Sequence, residues 1–114
     1  MSEQELYNYD DVIMAKFALA LGLPVRIFII RTIINQNNLA RKEDFDNTLF
    51  KAELINKHIS QLKGLGILKI KTEKRKNTYS IDKPFFSSMS GKFDLLFKSL
   101  EHKNGSGSPA AAEE

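Results

Sequence analysis

The chain has 114 residues, of which 42% are hydrophobic, and a formal net charge of +3. This length supports one domain with a modest core but is too short for two. Because there is no cysteine, disulfides and thiolate metal sites are excluded, and a cytoplasmic location is expected. The N-terminus has no signal-peptide character, and Gly22, Pro24, Arg26 and Arg31 interrupt the most apolar stretch, so we expect no membrane span.

The first third of the chain predicts two helices. Residues 6–21 form the first, with acids Asp10 and Asp11 in its early turns, where they suit the helix dipole. Pro24 is well suited to start the second, at 24–35. That segment is rich in β-branched residues, so a buried strand is the alternative. Its length and proline start favour a helix, and its nearly continuous apolar circumference predicts burial.

A polar turn at 35–38 precedes a short predicted helix, Lys42–Asn47, which would insert Phe45 and then Leu49 into the core. Three acids, Glu43, Asp44 and Asp46, belong to this helix. They would repel a polyanion, so we expect the helix to face away from such a partner or only to brush it.

The central segment predicts a helix followed by a hairpin. Apolar residues at 52, 55, 59 and 62 recur at steps of three, four and three, which is one stripe of a helix, and Gly66 ends it. Alternating residues from Leu68 to Glu73 predict a strand, Lys74–Asn77 a cationic turn, and Thr78–Ile81 a returning strand with Tyr79 and Ile81 on one face.

Charge is concentrated in this same segment. Residues 51–76 contain eight lysines and arginines against two acids, whereas residues 1–50 contain five against seven. A cationic run of this kind on a helix and hairpin indicates a surface that binds a polyanion. The alternative is a solvated lysine-rich surface that serves solubility alone.

The last helix is predicted over Pro84–Lys103, with an apolar stripe that contains several phenylalanines. So wide a stripe indicates a surface that contacts a partner, although the helix could instead fold back on its own core. Residues 104–114 are rich in Gly, Ser, Pro and Ala and predict a flexible tail, either native or left by an expression vector.

Two stretches carry a family resemblance. The string from Ile55 to Lys63, followed by Leu65-Gly66-Ile67-Leu68, resembles the recognition-helix signature of ArsR-type winged-helix repressors, and Ala18–Ile27 is similar to that family's opening. The likeness covers about residues 6 to 100. It implies an α+β fold, mainly α with a small β-hairpin, in the order α-α-α-α-β-β-α. Residues 1–103 would form this winged helix-turn-helix domain.

The resemblance and the charge pattern together predict two sets of DNA-binding residues. The first set lies on the recognition helix and comprises Lys51, Glu53, Asn56, Lys57, Ser60, Gln61 and Lys63. The second lies on the wing and comprises Lys71, Lys74, Arg75, Lys76 and Asn77. Amide and ammonium groups on a slim helix suit base edges in the major groove, and flanking cations suit phosphates.

ArsR-type proteins pair their first and last helices across a two-fold axis, so the resemblance implies a homodimer. The predicted interface consists of apolar residues from both helices: Ile13, Phe17, Phe86, Met89, Phe93, Leu96, Phe97 and Leu100.

Metal sensing and catalysis are not expected. Many family members sense metals through cysteine pairs or through Asp, His and Glu on the last helix, and here Asp94, Glu101 and His102 have the wrong spacing. We expect His58 to pack or to bond locally, not to bind metal. No catalytic pairing or phosphate-binding glycine loop is present, so we predict no enzyme and no cofactor.

These observations predict a dimeric, sequence-specific regulator that binds double-stranded DNA and represses transcription by occluding a promoter; they identify no effector. The alternative is a winged-helix interaction module that docks a protein partner through its last helix.

Overall fold

The computed structural model describes residues 8–105, with side chains over 8–101. Two helices come first in this part of the chain. Helix α1 spans Tyr9–Ala20 and begins at Asn8, whose side chain accepts a hydrogen bond from the Asp10 N–H at 2.8 Å. Helix α2 spans Pro24–Asn35, with the proline at its first turn. The prediction of a helix at 24–35 is therefore confirmed, and the alternative of a buried strand there is wrong. Positions 6 and 7 of the first predicted helix and residues 106–114 of the predicted tail lie outside the described residues. Positions 104 and 105 of that tail belong to the last helix, so the prediction is wrong for them.

Helix α2 is buried on one side only. Val25, Ile29, Ile30 and Ile33 lie in the core, whereas Ile34 is 56% exposed. The prediction that its apolar circumference would be covered is therefore wrong for the outer side. The buried side supplies two of the most fully enclosed side chains in the described part of the molecule, Ile29 and Ile33.

The segment after α2 differs from the predicted order. A short strand β1, Ala40–Arg41, precedes a 3-10 helix at Lys42–Phe45, which takes the place of the predicted α-helix Lys42–Asn47. The 3-10 helix ends early because the Asn47 side chain accepts from the N–H groups of Leu49 and Phe50, at 2.7 and 2.6 Å. Phe45 is buried as predicted, but Leu49 is 81% exposed, and Phe50 packs inward against Phe28 instead.

The remaining elements are helix α3, Ala52–Gly64, strands β2, Leu68–Glu73, and β3, Lys76–Ile81, and helix α4, Lys83–Gly105. The antiparallel sheet has the order β1-β3-β2, with Ala40 opposite Tyr79 and Leu68 opposite Ile81. The prediction of a two-stranded hairpin therefore missed one strand. A two-residue strand has too short an alternation to be read from sequence.

The end of β3 is clamped to the turn that follows α2. Asn37 and Asn38 both adopt positive φ, at 58° and 62°, a conformation that asparagine tolerates better than most residues. The Asn38 side chain accepts from the Ile81 N–H at 2.6 Å and donates to the Ile81 carbonyl at 3.3 Å. One amide side chain thus satisfies both backbone groups of the last β3 residue.

One core joins all of these elements. It is formed by the inner sides of α1, α2 and α3, by the base of the sheet and by the first turns of α4, with Leu62 and Ile67 fully enclosed. Within residues 8–105, no single helix is long and apolar enough to cross a membrane; α1 and α2 reach that length only as a pair, which is bent by 91°.

Candidate nucleic-acid interface

Helix α3 presents a buried side and a polar side. Ile55, Ile59 and Leu62 lie in the core, while Ala52, the first residue of the predicted apolar stripe, is exposed. The residues predicted to contact DNA from this helix are all exposed: Lys51, Glu53, Asn56, Lys57, Ser60, Gln61 and Lys63. The helix is therefore anchored from one side and leaves its polar side open.

Arg26 of α2 holds α3 in place. Its guanidinium donates from Nε to His58 Nδ1 at 3.1 Å and from one terminal nitrogen to Gln61 Oε1 at 2.5 Å. The other terminal nitrogen donates to the Ala20 carbonyl at the end of α1, at 3.1 Å. Three helices thus meet at one side chain. The prediction treated Arg26 as an interruption of an apolar run and as part of the family-like stretch Ala18–Ile27, and it did not include these three bonds.

His58 is confirmed as a packed residue that bonds locally. It is 9% exposed, and its Nδ1 accepts the bond from Arg26. Burial lowers the pKa of the His58 imidazole below its usual value, and the positive charges of Arg26 and then Lys57 lower it further. His58 is thus held in its neutral form, which keeps Nδ1 free to accept.

The wing is the hairpin of strands β2 and β3, and it has a two-residue turn. Lys74 and Arg75 form this turn with φ of 50° and 66°, the left-handed pair that a tight turn between twisted strands requires. Lys76 and Asn77 therefore belong to β3, opposite Glu73 and Thr72, and not to a four-residue turn as predicted. Lys71, Lys74, Arg75, Lys76 and Asn77 are all exposed.

Polar contacts between side chains stiffen the hairpin below its tip. The Thr72 hydroxyl lies 2.6 Å from Asn77 Oδ1, and Asn77 Nδ2 lies 3.5 Å from the Tyr79 hydroxyl. Tyr79 is buried against Phe45, with ring centroids 5.2 Å apart at an angle of 87°. The base of the wing is thus packed through the Tyr79–Phe45 pair, while its tip is exposed to solvent.

Two cavities connect α3 to the wing across the 3-10 helix. A small cavity of about 30 Å³ lies beside Ala52 and Asn56 of α3 and is also lined by Lys42 and Tyr79. A cleft of about 550 Å³ contains Lys42 and Tyr79 as well and continues to the wing. Because both cavities are lined by Lys42 and Tyr79, they lie next to each other between the N-terminal turns of α3 and the cationic hairpin.

The position of Glu43 contradicts the expectation that the acids of the 3-10 helix face away from the cationic surface. Glu43 lines the cleft and so faces the cationic surface. Asp44 instead accepts from the Arg41 N–H at 2.7 Å, and this bond turns its carboxylate toward the backbone. Two cations in the cleft, Arg41 and Lys42, were absent from the predicted DNA-binding set. Their signal in the sequence, two adjacent cations before three acids, is weak.

Helix α4 divides into two halves. In the first, Phe86 and Phe93 are half-buried and Met89 is buried, and the ring of Phe17 from α1 contacts Phe85, Phe86 and Phe93 with centroids 5.3 to 6.3 Å apart. In the second half, Leu95, Leu96, Phe97 and Leu100 are 53% to 69% exposed. Of the predicted dimer interface, Phe17 and Met89 therefore lie within the core of the single chain, and Ile13, Phe86 and Phe93 pack against it. Leu96, Phe97 and Leu100 remain open.

Among residues 8–101, no group of three or more His, Asp or Glu side chains is arranged to hold a metal ion. The candidate interface in this part of the molecule consists mainly of amide, hydroxyl, ammonium and guanidinium groups, with the carboxylates of Glu43, Glu53 and Glu73 among them. Amide, hydroxyl and cationic groups bind phosphates and base edges.

No protein-family model matches the chain, and no curated protein matches it either. Its structure is nevertheless similar to solved structures at low identity. An ArsR family transcriptional regulator, RHA00566, is 19% identical with a TM-score of 0.62, over 82% of this chain and 95% of that one. Rv0081 of M. tuberculosis is 15% identical with a TM-score of 0.58, over 88% of this chain and 97% of that one.

A third similar structure is BpsR of Bordetella bronchiseptica, whose DNA binding is regulated by 6-hydroxynicotinic acid. It is 13% identical with a TM-score of 0.52, over 96% of this chain and 84% of that one. These likenesses confirm the predicted α+β class and its hairpin wing. The chain has the winged helix-turn-helix fold of ArsR-type transcriptional regulators.

Proposed function

We propose that this protein is a cytoplasmic transcriptional regulator that binds double-stranded DNA in a sequence-specific way, acts as a dimer, and represses by occluding a promoter. The observation that carries the proposal is that the exposed polar side of α3 and the exposed cationic wing border two cavities that share Lys42 and Tyr79. A duplex is the polyanion that offers a groove to a helix and a phosphate chain to a neighbouring hairpin. The winged-helix fold supports this reading.

In the proposed complex, α3 enters the major groove. Asn56 reads an adenine edge, and Lys57 reaches guanine acceptors or a phosphate. Glu53 accepts from a cytosine amino group. Ser60 and Lys63, further along the helix, lie nearer the backbone. Gln61 reaches the duplex only through its NH₂ group, because its carbonyl oxygen accepts from Arg26. The wing cations contact phosphates of the neighbouring groove.

The exposed half of α4 supports the proposed dimer. Leu95, Leu96, Phe97 and Leu100 lie within six positions of one another and are more than half exposed. Pairing this surface with its own copy across a two-fold axis would remove it from water. Such a dimer presents two α3 helices to half-sites about one helical turn, ~34 Å, apart.

The regulator we propose does not sense metal, and it is not an enzyme. The described residues supply no metal-binding cluster, and its polar groups suit recognition of phosphates and bases. Repression then follows from occupancy of the promoter alone or from a signal other than a metal.

DNA binding is tested by titrating labelled genomic fragments at low and moderate salt, with wild type beside Lys57→Ala and Arg75→Ala. We expect binding that weakens steeply with salt and that both changes reduce, because each removes a cation facing the duplex. Lys98→Ala, on α4 and paired with Asp94 at 3.1 Å, is the matched control and should bind as wild type does. Absence of wild-type binding at low salt would end the proposal.

Dimerisation is tested by light scattering at micromolar concentration. Wild type should give twice the chain mass, and Phe97→Glu should give a folded monomer, because Phe97 is 61% exposed. Gln36→Glu, exposed at the end of α2 and outside α4, is the control for added charge and should remain a dimer. A monomeric wild type would remove the dimer from the proposal.

The second candidate is a protein-interaction module, which the same exposed half of α4 favours. The two candidates respond oppositely to two changes. Charge reversal at Lys74 and Arg75 should abolish DNA binding but leave partner docking intact. A change of Leu96 to Glu should abolish docking while a duplex half-site is still bound.

A further inference from the structure

The cleft between the wing and the 3-10 helix is lined by cations from two separate segments. Arg41 and Lys42 contribute from one wall, and Arg75 and Lys76 from the other. The two walls are held together by the β1–β3 pairing of Arg41 with Thr78. The sheet therefore fixes the backbone positions from which the four cationic side chains extend.

The acids in and near the cleft do not cancel this charge. Glu43 and Glu73 also line it, so four cations face two acids. Glu73 lies 3.8 Å from the ammonium of Lys71, which partly offsets its negative charge. Asp44 accepts a hydrogen bond from the Arg41 N–H. The charge that faces the opening is thus positive, with Glu43 as the main opposing group.

We propose that this cleft seats backbone phosphate of the bound duplex, with Arg41 and Lys42 as ligands opposite Arg75 and Lys76. The inference rests on the proposed function and extends the DNA contact to a segment that sequence reasoning excluded. A guanidinium can bind a phosphate through two parallel N–H groups, and an ammonium binds it as a point charge. Such contacts fix the position of the protein on the duplex without reading its sequence.

A long polyanion fits the site better than a small anion does. The cleft is open, and it adjoins the cavity beside Asn56 through the shared residues Lys42 and Tyr79. A nucleic-acid strand that follows this path passes from the base-reading helix, past Lys42 and Asp46, to the cations of the wing. The shared chemistry is a phosphate oxyanion, and the test below separates a duplex from free phosphate.

Glu43 has a defined role in this arrangement. Its carboxylate stands among the four cations and repels the strand that they attract. The repulsion is the same for every sequence, so Glu43 limits non-specific affinity. Neutralising it should strengthen binding to all duplexes.

The experiment measures fluorescence anisotropy of the full chain with a selected duplex and with a scrambled duplex, across a series of KCl concentrations. Arg41→Ala/Lys42→Ala should make the slope of log K against log salt shallower by about two, at roughly 0.9 for each neutralised phosphate. Both duplexes should weaken by the same factor. Glu43→Gln should tighten both, which misfolding cannot produce. Arg31→Ala, on the exposed side of α2, should change neither slope nor affinity.

Three outcomes overturn the proposal. If wild type binds with a steep salt slope that the double change leaves intact, the cleft is not part of the contact, while the proposed function stands. If inorganic phosphate at millimolar concentration shifts the Tyr79 ring resonances but the duplex slope is unchanged, the cleft is a small-anion site. If wild type does not bind duplex at all, the cleft proposal falls together with the proposed function.

Discussion

Helix α3 and the wing border the same surface but are held in different ways. Helix α3 is fixed by three buried aliphatic residues and by Arg26, which bonds both His58 and Gln61. The wing is fixed at its base by Tyr79 and Ile81, while every residue from Lys71 to Asn77 is exposed. A rigid helix suits base edges, which demand exact placement, and a free cationic tip suits phosphates, which do not. Substitutions on the buried side of α3 should therefore change mainly the free energy of unfolding, and substitutions at the wing tip should change mainly DNA affinity.

The largest expected effect is on the buried side of α3. Leu62→Ala should lower the free energy of unfolding by about 2–5 kcal/mol, because Leu62 is fully enclosed and its truncation leaves a cavity. Urea titration measures this change. Leu65→Ala, at the exposed end of the same helix, is the control and should cost little. Equal losses in the two variants would contradict the assigned burial.

The next effect concerns Arg26. Arg26→Ala should cost about 1–3 kcal/mol of stability, since it leaves the buried His58 without its donor. DNA affinity should also fall, because α3 loses its link to α1 and α2. Arg31→Ala removes an exposed arginine from the same helix and should be within ~0.5 kcal/mol of wild type. A wild-type melting curve for Arg26→Ala would show that the network contributes nothing.

At the wing tip, stability and binding should move in opposite directions. Lys74→Asn with Arg75→Gly places favoured residues at the two positive-φ positions and should stabilise the fold by roughly 1 kcal/mol. The same change removes two cations, so DNA binding should weaken and its salt slope should flatten. Lys71→Ala, away from the turn, tests the loss of charge without the gain in stability. A destabilised tip variant would contradict the turn assignment.

The smallest expected effect is a pH dependence of the free energy of unfolding that arises from His58 of α3. The pKa of His58 in the folded chain lies below 6.5, its ordinary value, because of burial and then the charge of Arg26. The unfolded chain therefore binds more protons just below that pH, and stability falls as pH drops through it. His58→Gln should flatten the part of the stability curve that lies just below pH 6.5, above the range in which most carboxylates titrate. An unchanged curve would exclude His58 as its source.

Much of this architecture can be predicted from local patterns. The apolar steps of α3, Pro24 at the start of α2 and the alternation of β2 each reflect one element alone. The helix, the helix start and the strand that they predict are confirmed, although Ala52 of the α3 stripe is exposed. The three-stranded sheet was missed because β1 has only two residues, paired with a strand 37 residues later. Leu49 was misplaced because the Asn47 side chain ends the 3-10 helix, and propensity does not report that bond.

The proposed binding surface was only partly predictable. The charge density of the sequence indicated α3 and the wing, since eight cations in 26 residues stand out in any sequence. The contribution of Arg41 and Lys42 depends on pairing β1 with β3, which brings distant residues together. Similarly, the predicted dimer stripe of α4 had the right period. Periodicity alone could not tell that Met89 packs against the chain's own core while Phe97 faces outward.

The Asn38 clamp on Ile81 has a consequence for the wing. A slip of β3 by one residue would break both bonds from Asn38 and would also exchange the inward and outward faces of the strand. Register is therefore set at the bottom of the hairpin, and the number of residues above it is constant. Together with the strand pairing and the two-residue turn, this amide keeps the cationic tip at one height above the sheet, so the reach of the wing toward a neighbouring strand of nucleic acid is a built-in length.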